Sequence, residues 1–504
     1  MSVSVSRSAE GTELEVQPLP CGFAQIFRIS RKARGAKVAS EEAVRLRVPL
    51  VHPRELGNAS NCTKGAGTRL SSLNRSEESS CSSGVLSIVV IVVIVVSGLL
   101  ELDVDVLVYI VEMLRPACGL CSLSVACRWL RTLCMPVLFE NCTVTVRGPI
   151  TTPRFLPPTL WPFVRTLHLM DHCPDLRSMR HPGDRLRFAT DRLICGVISS
   201  AFLKDALRAM PRLRSVRVGF LGKEEHGLGW DAIDAILSAS QLREFTITTS
   251  LFSPREAPGR EIPLDHFARL TTFHYARHTS HFGLHGDVQR ESLAVVVEIL
   301  NLSLERLRLP SDLAPIATLA SLPWPRLREL KLDGAYPPNL DVPLIYVISR
   351  MPNLRKLALL FSLPWDGQSQ KQAVWPRECS LDFLFPDLEE LAISYPDPED
   401  CLYSHLPPTL RRLSLQCCPH HCIHVWKPGT SRYWRSPIPH ASHLWRILSN
   451  VKAPLLQHLQ LEYITDHADG ALLESIATSF PTMSSLEIHR FRDGENAKVH
   501  IVRT

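Results

Sequence analysis

The sequence predicts an α/β chain in which a small helical module precedes a curved parallel sheet with helices on its outer side. Three observations predict this fold class. A six-residue unit, Leu-x-x-Leu-x-Leu, recurs with substitutions over about two thirds of the chain. A proline stands shortly before many of these units, and two short helical patterns precede all of them. The repetition therefore predicts a stacked array of strands rather than one globular core.

The first 84 residues carry no sustained apolar periodicity. They mix serine, glycine, arginine and glutamate, and residues 74–84 have the composition of a polar linker. Nothing in this stretch would bury a core. We predict a disordered N-terminal region over residues 1–84.

Residues 85–100 are an uncharged run rich in valine and isoleucine. Its length is just under the roughly 17 to 25 residues with which a helix crosses a bilayer. Basic residues before the run would leave the N-terminus in the cytosol and place the following residues across the membrane. Three interpretations stay open: a single-pass membrane anchor as the minority interpretation, a buried or aggregation-prone apolar element, or a translated non-coding stretch.

Residues 101–147 are predicted to form a compact helical module. The first helix has its apolar residues on one stripe, and the Arg115-Pro116 pair ends it. A second helix is expected from about residue 120 to residue 133, with Pro136 stopping it before an alternating, strand-like run at 142–146. Helices this short carry more apolar surface than they can bury against one another, which predicts a partner.

The order of residues in this module resembles the F-box motif, particularly its divergent fungal form. The most specific part is SVACRWLRTLCMPVLFE at residues 124–140, whereas Leu102-Asp103 stands where the family has Leu-Pro. The resemblance implies docking onto a Skp-type adaptor and, through it, onto a cullin. The residues expected to contact the adaptor are Val106, Leu107, Ile110, Leu114, Leu123 and Leu138. The alternative is an ordinary helical hairpin that caps the array.

The repeated units follow between residues 155 and 491. They lie at 164–169, 213–218, 242–247, 270–275, 304–309, 327–332, 354–359, 388–393, 410–415, 456–461 and 483–488. Prolines such as Pro211, Pro352 and Pro481 would end one helix before the next strand begins, because proline lacks the amide that continues a helix. The pattern resembles the irregular leucine-rich repeats that follow many F-boxes, and it implies a solenoid over residues 155–491.

A target is expected to bind through side chains that alternate with the buried leucines on the concave face of such a solenoid. The candidate target-binding residues are Arg217, His274, Arg308 and Lys331. Their guanidinium and ammonium groups predict a mildly basic centre that suits an acidic or phosphorylated protein. The alternative is a set of solvated surface residues with no shared ligand.

Residues 417–442 lengthen one repeat and are interpreted as a loop insert. Cysteine and histidine are dense at 417–424, yet adjacent ligands on an extended chain point apart, so we predict a surface loop and no metal site. The sequence has no nucleophile elbow, phosphate-cradling glycine loop or His-Glu-x-x-His motif. We therefore predict neither an active site nor a cofactor.

Composition narrows the function further. A formal net charge of +6 over 504 residues, without a basic block or zinc-finger spacing, does not favour nucleic acid as a partner. Fifteen cysteines scattered among apolar positions are typical of reduced thiols in the cytoplasm or nucleus.

These expectations together predict a substrate-recognition adaptor of a Skp-cullin-F-box ubiquitin ligase that binds an unidentified protein target. The sequence leaves two alternative functions open. One is a membrane-anchored binding protein with leucine-rich repeats. The other is an interaction scaffold that binds its target without joining a ligase.

Overall fold

The computed structural model describes most of residues 103–491 and three short strands before them. The described residues are 2–5, 16–18, 26–29, 103–114, 119–151, 155–172, 194–198, 200–220, 227–248, 251–252, 270–276, 286–337, 340, 342–364, 372–381, 385–416, 434–435 and 438–491. They belong to two compact units. One, here called the helical unit, lies within residues 32–133, and the other, the sheet unit, draws on residues 1–31 and 134–504.

Two segments singled out in the sequence lie largely or wholly outside these ranges. They are the apolar run at 85–100 and the cysteine- and histidine-rich part of the insert at 417–433. Among the helices that are described, none combines the length and the apolar character needed to cross a membrane.

The described part of the helical unit contains three short helices: α1 (Val104–Met113), α2 (Gly119–Ala126) and α3 (Arg128–Leu138), the last of which ends in the sheet unit. Asp103 caps α1, because its Oδ1 accepts a hydrogen bond from the Asp105 amide at 2.9 Å. α1 ends three residues before Pro116, where the sequence predicts the stop.

The second predicted helix, at about 120–133, is wrong in its bounds because it is two helices. Cys127 separates them: its Sγ accepts from the Leu130 amide at 3.4 Å and its carbonyl oxygen from the Arg131 amide at 3.0 Å, as an N-cap does. Pro136 does not stop α3, which runs on to Leu138. The missing amide falls in the last turn, where it removes one hydrogen bond and leaves the preceding turns intact.

The sheet unit is built on strands that follow the repeated motif. Its strands are β1 Ser2–Val5, β2 Val16–Pro18, β3 Ile26–Ile29, β4 Asn141–Val146, β5 Thr166–Asp171, β6 Ile194–Cys195, β7 Ser215–Phe220, β8 Gly227–Leu228, β9 Glu244–Thr248, β10 Leu251–Phe252, β11 Thr272–Ala276, β12 Arg306–Pro310, β13 Glu329–Ala335, β14 Lys356–Pro364, β15 Glu390–Ser394, β16 Arg412–Gln416, β17 Trp434–Arg435, β18 His458–Ile464 and β19 Ser485–Phe491.

Twelve of these strands form one open, parallel sheet. Its order is β4-β5-β7-β9-β11-β12-β13-β14-β15-β16-β18-β19, so neighbouring strands in the sheet, here called rungs, are in the same order as in the sequence. The strand β1 pairs antiparallel with β19 and is followed outward by β3 and β2. Short strands β6, β8 and β10 make a separate sheet, and β17 pairs antiparallel with β14. The predicted α/β class with a parallel sheet is confirmed, and the arrangement is consistent with a solenoid.

Helices connect the strands and cover one face of the sheet. They are α4 Ser200–Arg208, α5 Trp230–Leu237, α6 Gly286–Leu300, α7 Ile316–Ser321, α8 Leu344–Ile348, α9 Ala441–Asn450 and α10 Asp469–Ser479, with 3₁₀ turns at Pro158–Phe163 and Cys401–His405. The predicted proline stops hold for α4, α8 and α10, which end at Arg208, Ile348 and Ser479.

The register places like residues on neighbouring rungs and makes one continuous core. Leu307, Leu330, Leu357, Leu391 and Leu413 are successive partners across five strands, each at most 1% exposed. Helix residues such as Leu203, Ile233 and Val296 belong to the same core, which shows that the helices pack on the leucine face. Burying one such side chain contributes about 1.5–3 kcal/mol. Among the described residues, Cys121, Cys127, Cys142, Cys379 and Cys401 are not joined in disulfide bonds.

Candidate functional site

The first candidate site is a stripe of exposed apolar side chains on α1. At 3.6 residues per turn, Val106, Tyr109 and Met113 fall within about 60° of one another. Their exposed fractions are 46%, 63% and 64%. We call these three residues the exposed stripe. Side chains of this size and exposure on one helix face are typical of a surface that a partner covers.

The opposite side of α1 is the side that the chain buries itself. Leu107 and Val111 are each 1% exposed, and Ile110 and Leu114 beside them are half-buried. The helix is therefore apolar on two sides. The second side is covered at Leu107 and Val111 but not at Val104 and Val108, which are 56% and 37% exposed. Outside α1, Val125 in α2 and Trp129 in α3 add two more large exposed apolar side chains to the helical unit, at 69% and 41%.

The residues expected to contact an adaptor divide accordingly. Val106 is exposed, whereas Ile110, Leu114, Leu123 and Leu138 are half-buried. Leu107 is buried, which corrects its assignment: its side chain supports the helix and has no surface to offer a partner. Sequence reasoning missed Tyr109 and Met113 because it took a single apolar stripe to be the contact surface. Their i, i+4 spacing was the available signal.

The second candidate site is the face of the parallel sheet turned away from the helices, here called the open face. Its central row consists of residues that pair with one another from strand to strand. In order they are His168, Arg217, Thr246, His274, Arg308, Lys331, Ala358, Ala392, Ser414, Gln460 and Glu487. The structure therefore brings all four predicted target-binding residues into one row, with Thr246 between Arg217 and His274.

The predicted basic centre is partly neutralised by a carboxylate on the same face. Arg308 donates to both oxygens of Asp333, from Nε at 3.2 Å and from Nη2 at 2.6 Å, and Lys331 Nζ lies 3.6 Å from Asp333 Oδ2. Two cations therefore share one anion. A planar, two-point pairing holds the Arg308 guanidinium in a fixed orientation and leaves less of its charge for a ligand.

Two histidines of the row are held in the neutral form. Burial lowers the pKa of His274, and the neighbouring Arg308 lowers it further. Burial likewise lowers the pKa of His168, with Arg217 adding to the effect. Both imidazoles are therefore uncharged hydrogen-bonding groups near neutral pH, and they do not add to the positive charge of the row.

Beyond Lys331 the open face changes character. Ala358 and Ala392 form a floor of small side chains, and a groove of about 380 Å³ extends over them as far as Glu487. Lys356 and Arg412 flank it, pairing with Glu390 at 2.8 and 3.7 Å. The groove is therefore lined by charges of both signs.

A chain of hydrogen-bonded side chains lies at the end of the groove nearest Glu487. Ser414 Oγ donates to Gln460 Oε1 at 2.7 Å, and Gln460 Nε2 donates to Glu487 Oε1 at 3.0 Å. His489 Nε2 lies 2.9 Å from the same carboxylate oxygen. The sequence did not predict this chain, because the register of strand pairing decides which side chains meet.

Within the described ranges, no three or more histidine, cysteine, aspartate or glutamate side chains come together as metal ligands would. The open face can bind through hydrogen bonds and ion pairs, and the exposed stripe through apolar contact. No protein-family model matches the chain, and a search of curated proteins returned no match.

Proposed function

We propose that this chain is the substrate-recognition subunit of a Skp-cullin-F-box ubiquitin ligase. In this proposal the helical unit is an F-box-like module that binds a Skp-type adaptor, and the sheet unit is an irregular leucine-rich-repeat array that binds a protein target. The observation that carries the proposal is the exposed stripe on α1, which lies opposite the side that the chain buries itself.

The exposed stripe supports adaptor binding on energetic grounds. Covering a large apolar side chain contributes about 1.5–3 kcal/mol, part of which offsets the entropy lost on association. Tyrosine is among the residues that most often dominate a protein interface. Tyr109, flanked by Val106 and Met113, therefore has the composition of an interface centre. Residues 124–140, which carry the resemblance to the F-box motif, contribute exposed Val125 and Trp129 to the same helical unit.

The sheet unit supports target binding by its regularity. Its Leu-x-x-Leu-x-Leu units lie on successive parallel rungs, and their leucines are buried against the helices. Each rung therefore presents its alternate side chains on the open face in a fixed order. Such a subunit performs no chemistry itself. It raises the concentration of the bound target near a ubiquitin-loaded enzyme held elsewhere in the ligase.

Calorimetric titration of the full chain with a purified Skp-type adaptor tests the proposal. The variant Tyr109→Asp with Met113→Asp places two charges on the exposed stripe, and it is expected to weaken binding about 100-fold or more. Val108→Asp is the matched control. Val108 is 37% exposed on the same helix but lies about 130° from the stripe, so its variant is expected to bind like the wild type.

Two results would contradict the proposal. One is a wild-type chain with no measurable affinity for the adaptor, and the other is an equal loss in the double variant and in Val108→Asp. Circular dichroism of each variant shows whether the helices are retained. If the adaptor binds but a captured target is never ubiquitinated in a reconstituted ligase, the ligase-independent scaffold is favoured instead.

A further inference from the structure

The edge of the parallel sheet where the strands begin carries a continuous ladder of backbone hydrogen bonds. Each rung contributes the residue just before its strand, whose amide donates to the carbonyl oxygen of the equivalent residue one rung earlier at 2.7–2.9 Å. In order the residues are Glu140, Arg165, Arg214, Arg243, Thr271, Glu305, Arg328, Arg355, Glu389, Arg411, Gln457 and Ser484. Neighbouring rungs of a sheet lie about 4.8 Å apart, so this ladder spaces its side chains evenly along the edge.

Arginines concentrate at two places on this edge. The first arginine cluster comprises Arg165, Arg212, Arg214 and Arg243, and the second arginine cluster comprises Arg326, Arg328 and Arg355. The Thr271 and Glu305 rungs separate them, which puts about 14 Å between Arg243 and Arg328. The edge therefore carries two positive centres at a fixed distance.

Most of these guanidinium groups are available to a ligand. Among the described residues, Arg212, Arg326 and Arg328 have no side-chain hydrogen bond or ion pair, and all three are exposed. Arg165 and Arg355 make only long, exposed ion pairs, at 3.4 Å to Glu140 and 3.5 Å to Glu389. Exposed pairs of this kind contribute little and exchange readily with another anion.

Two arginines of the first cluster are also held in place by carbonyl groups. Arg214 Nη1 donates to the Gln241 carbonyl at 3.3 Å, and Arg243 Nη1 donates to the Ser240 and Leu242 carbonyls at 3.1 and 2.8 Å. A guanidinium has five N–H groups, so each retains donors for a ligand. Their orientation is set before any ligand arrives, which reduces the entropy lost on binding.

The second arginine cluster lines a recess of about 340 Å³. Arg326, Arg328 and Arg355 form its cationic part, and Asn353 stands beside them with its Nδ2 donating to the Pro325 carbonyl at 2.7 Å. Glu305 and Asp387 complete the lining. The recess has room for a carboxylate or phosphoryl side chain between guanidinium groups, with carboxylates on either side.

The carboxylates decide which kind of polyanion fits. Glu305 interrupts the edge between the two clusters, and Asp387 and Glu389 follow the second cluster. A nucleic acid carries its phosphates at a regular, close spacing and would place negative charge against these carboxylates. A peptide can instead confine its acidic residues to two groups and present neutral residues between them.

We infer that this edge binds an extended acidic or phosphorylated peptide with two groups of negative charge separated by about four residues. One group occupies the recess of the second cluster, and the other contacts the first cluster. That the peptide belongs to the ligase target rests on the proposed function; peptide binding itself does not. The sequence predicted an acidic or phosphorylated ligand for the central row of the open face. We assign this ligand to the sheet edge instead, because fewer of the arginines there pair closely with a carboxylate than in the central row.

Fluorescence anisotropy with the full chain and labelled synthetic peptides tests the inference. The probe has three glutamates at each end of a neutral spacer of about four residues, and the comparison peptide has the same six glutamates in one block. An extended block of six glutamates spans about 17 Å and also reaches both clusters, but it places negative charge against Glu305, whereas the probe places neutral residues there. The probe is therefore expected to bind about tenfold more tightly, and added salt is expected to weaken it. A phosphoserine version of the probe and free inorganic phosphate distinguish a peptide-borne anion from a free one.

The matched variants replace exposed arginines with glutamine, which removes the positive charge. Arg326→Gln with Arg328→Gln removes two guanidinium groups that have no partner in the described protein, and it is expected to weaken the probe about tenfold. Arg411→Gln is the control, since Arg411 occupies the equivalent ladder position beyond Glu389 and is likewise exposed. Its variant is expected to bind the probe like the wild type.

Any of three results would overturn the inference: equal affinity for the two peptides, an equal loss in Arg411→Gln, or tighter binding of a single-stranded oligonucleotide of similar length. None of these measurements contains the adaptor. Failure of the peptide experiment and failure of adaptor binding are therefore separate outcomes.

Discussion

The helix α1 and the strands of the parallel sheet are both rich in apolar residues, but they use them differently. Along the sheet, leucines such as Leu307 and Leu332 are at most 1% exposed. In α1, Leu107 is equally buried while Tyr109, two residues away, is 63% exposed. The difference teaches that apolar side chains in the array stabilise the fold, whereas five of the eight apolar side chains in α1 are exposed and add little to its stability.

The largest expected effect is at the centre of the buried region. Trp324 is fully buried, and its Nε1 donates to the Leu319 carbonyl at 3.0 Å. Trp324→Ala should lower the free energy of unfolding by about 3–5 kcal/mol, because it leaves a large cavity and an unpaired carbonyl. Urea denaturation measures the change. Trp324→Phe, which keeps most of the ring, should cost less, and equal costs for both variants would contradict the cavity explanation.

The next largest loss of stability is expected when a buried carboxylate is removed. Asp400 is 7% exposed and accepts from the amides of Val374, Trp375 and Leu402 at 2.7, 3.0 and 3.0 Å. Asp400→Ala should cost about 3 kcal/mol, because the amides lose their acceptor inside the protein. Asp397→Ala is the control in the same turn, since Asp397 accepts from the exposed Glu399 amide. A control that costs as much as Asp400→Ala would contradict this account.

A smaller effect is expected on the dependence of folding stability on pH. The pKa values of His168 and His274 lie below their ordinary value of 6.5 because of burial and the adjacent arginines. As pH falls through 6.5 the unfolded chain binds protons before the folded one, so stability declines until the folded histidines also titrate. We expect His168→Gln with His274→Gln to lose less stability than the wild type between about pH 7.5 and about pH 5.5. Urea denaturation at the two pH values measures this loss. An identical loss of stability in the wild type and the variant would show that the two histidines do not cause it.

The smallest expected effect is on the exposed stripe. Met113→Ala should change the free energy of unfolding by no more than about 0.5 kcal/mol, since the side chain is 64% exposed. Leu107→Ala in the same helix should cost about 2–4 kcal/mol. Thermal unfolding followed by circular dichroism compares them. Similar losses in both variants would remove the contrast between the two sides of α1.

Sequence reasoning predicted the repeated parts well and the particular contacts less well. It placed each Leu-x-x-Leu-x-Leu unit on a strand and assigned Arg217 and Lys331 to a shared face, because a period of two decides the side of a strand on which a residue lies. It assigned Leu107 to a contact surface although the residue is buried, because an apolar stripe does not reveal whether its own chain covers it.

The sequence by itself determined the parallel array and the order of its rungs, because a leucine motif with prolines before it constrains each unit locally. Only the tertiary structure decided that Asp333 neutralises Arg308 and that Arg326 and Arg328 meet Arg355 in one recess. Those neighbours come from different repeats, 20 or more residues apart in the sequence. The lateral pairing of strands brings them together, and that pairing is a property of the whole sheet rather than of any one segment.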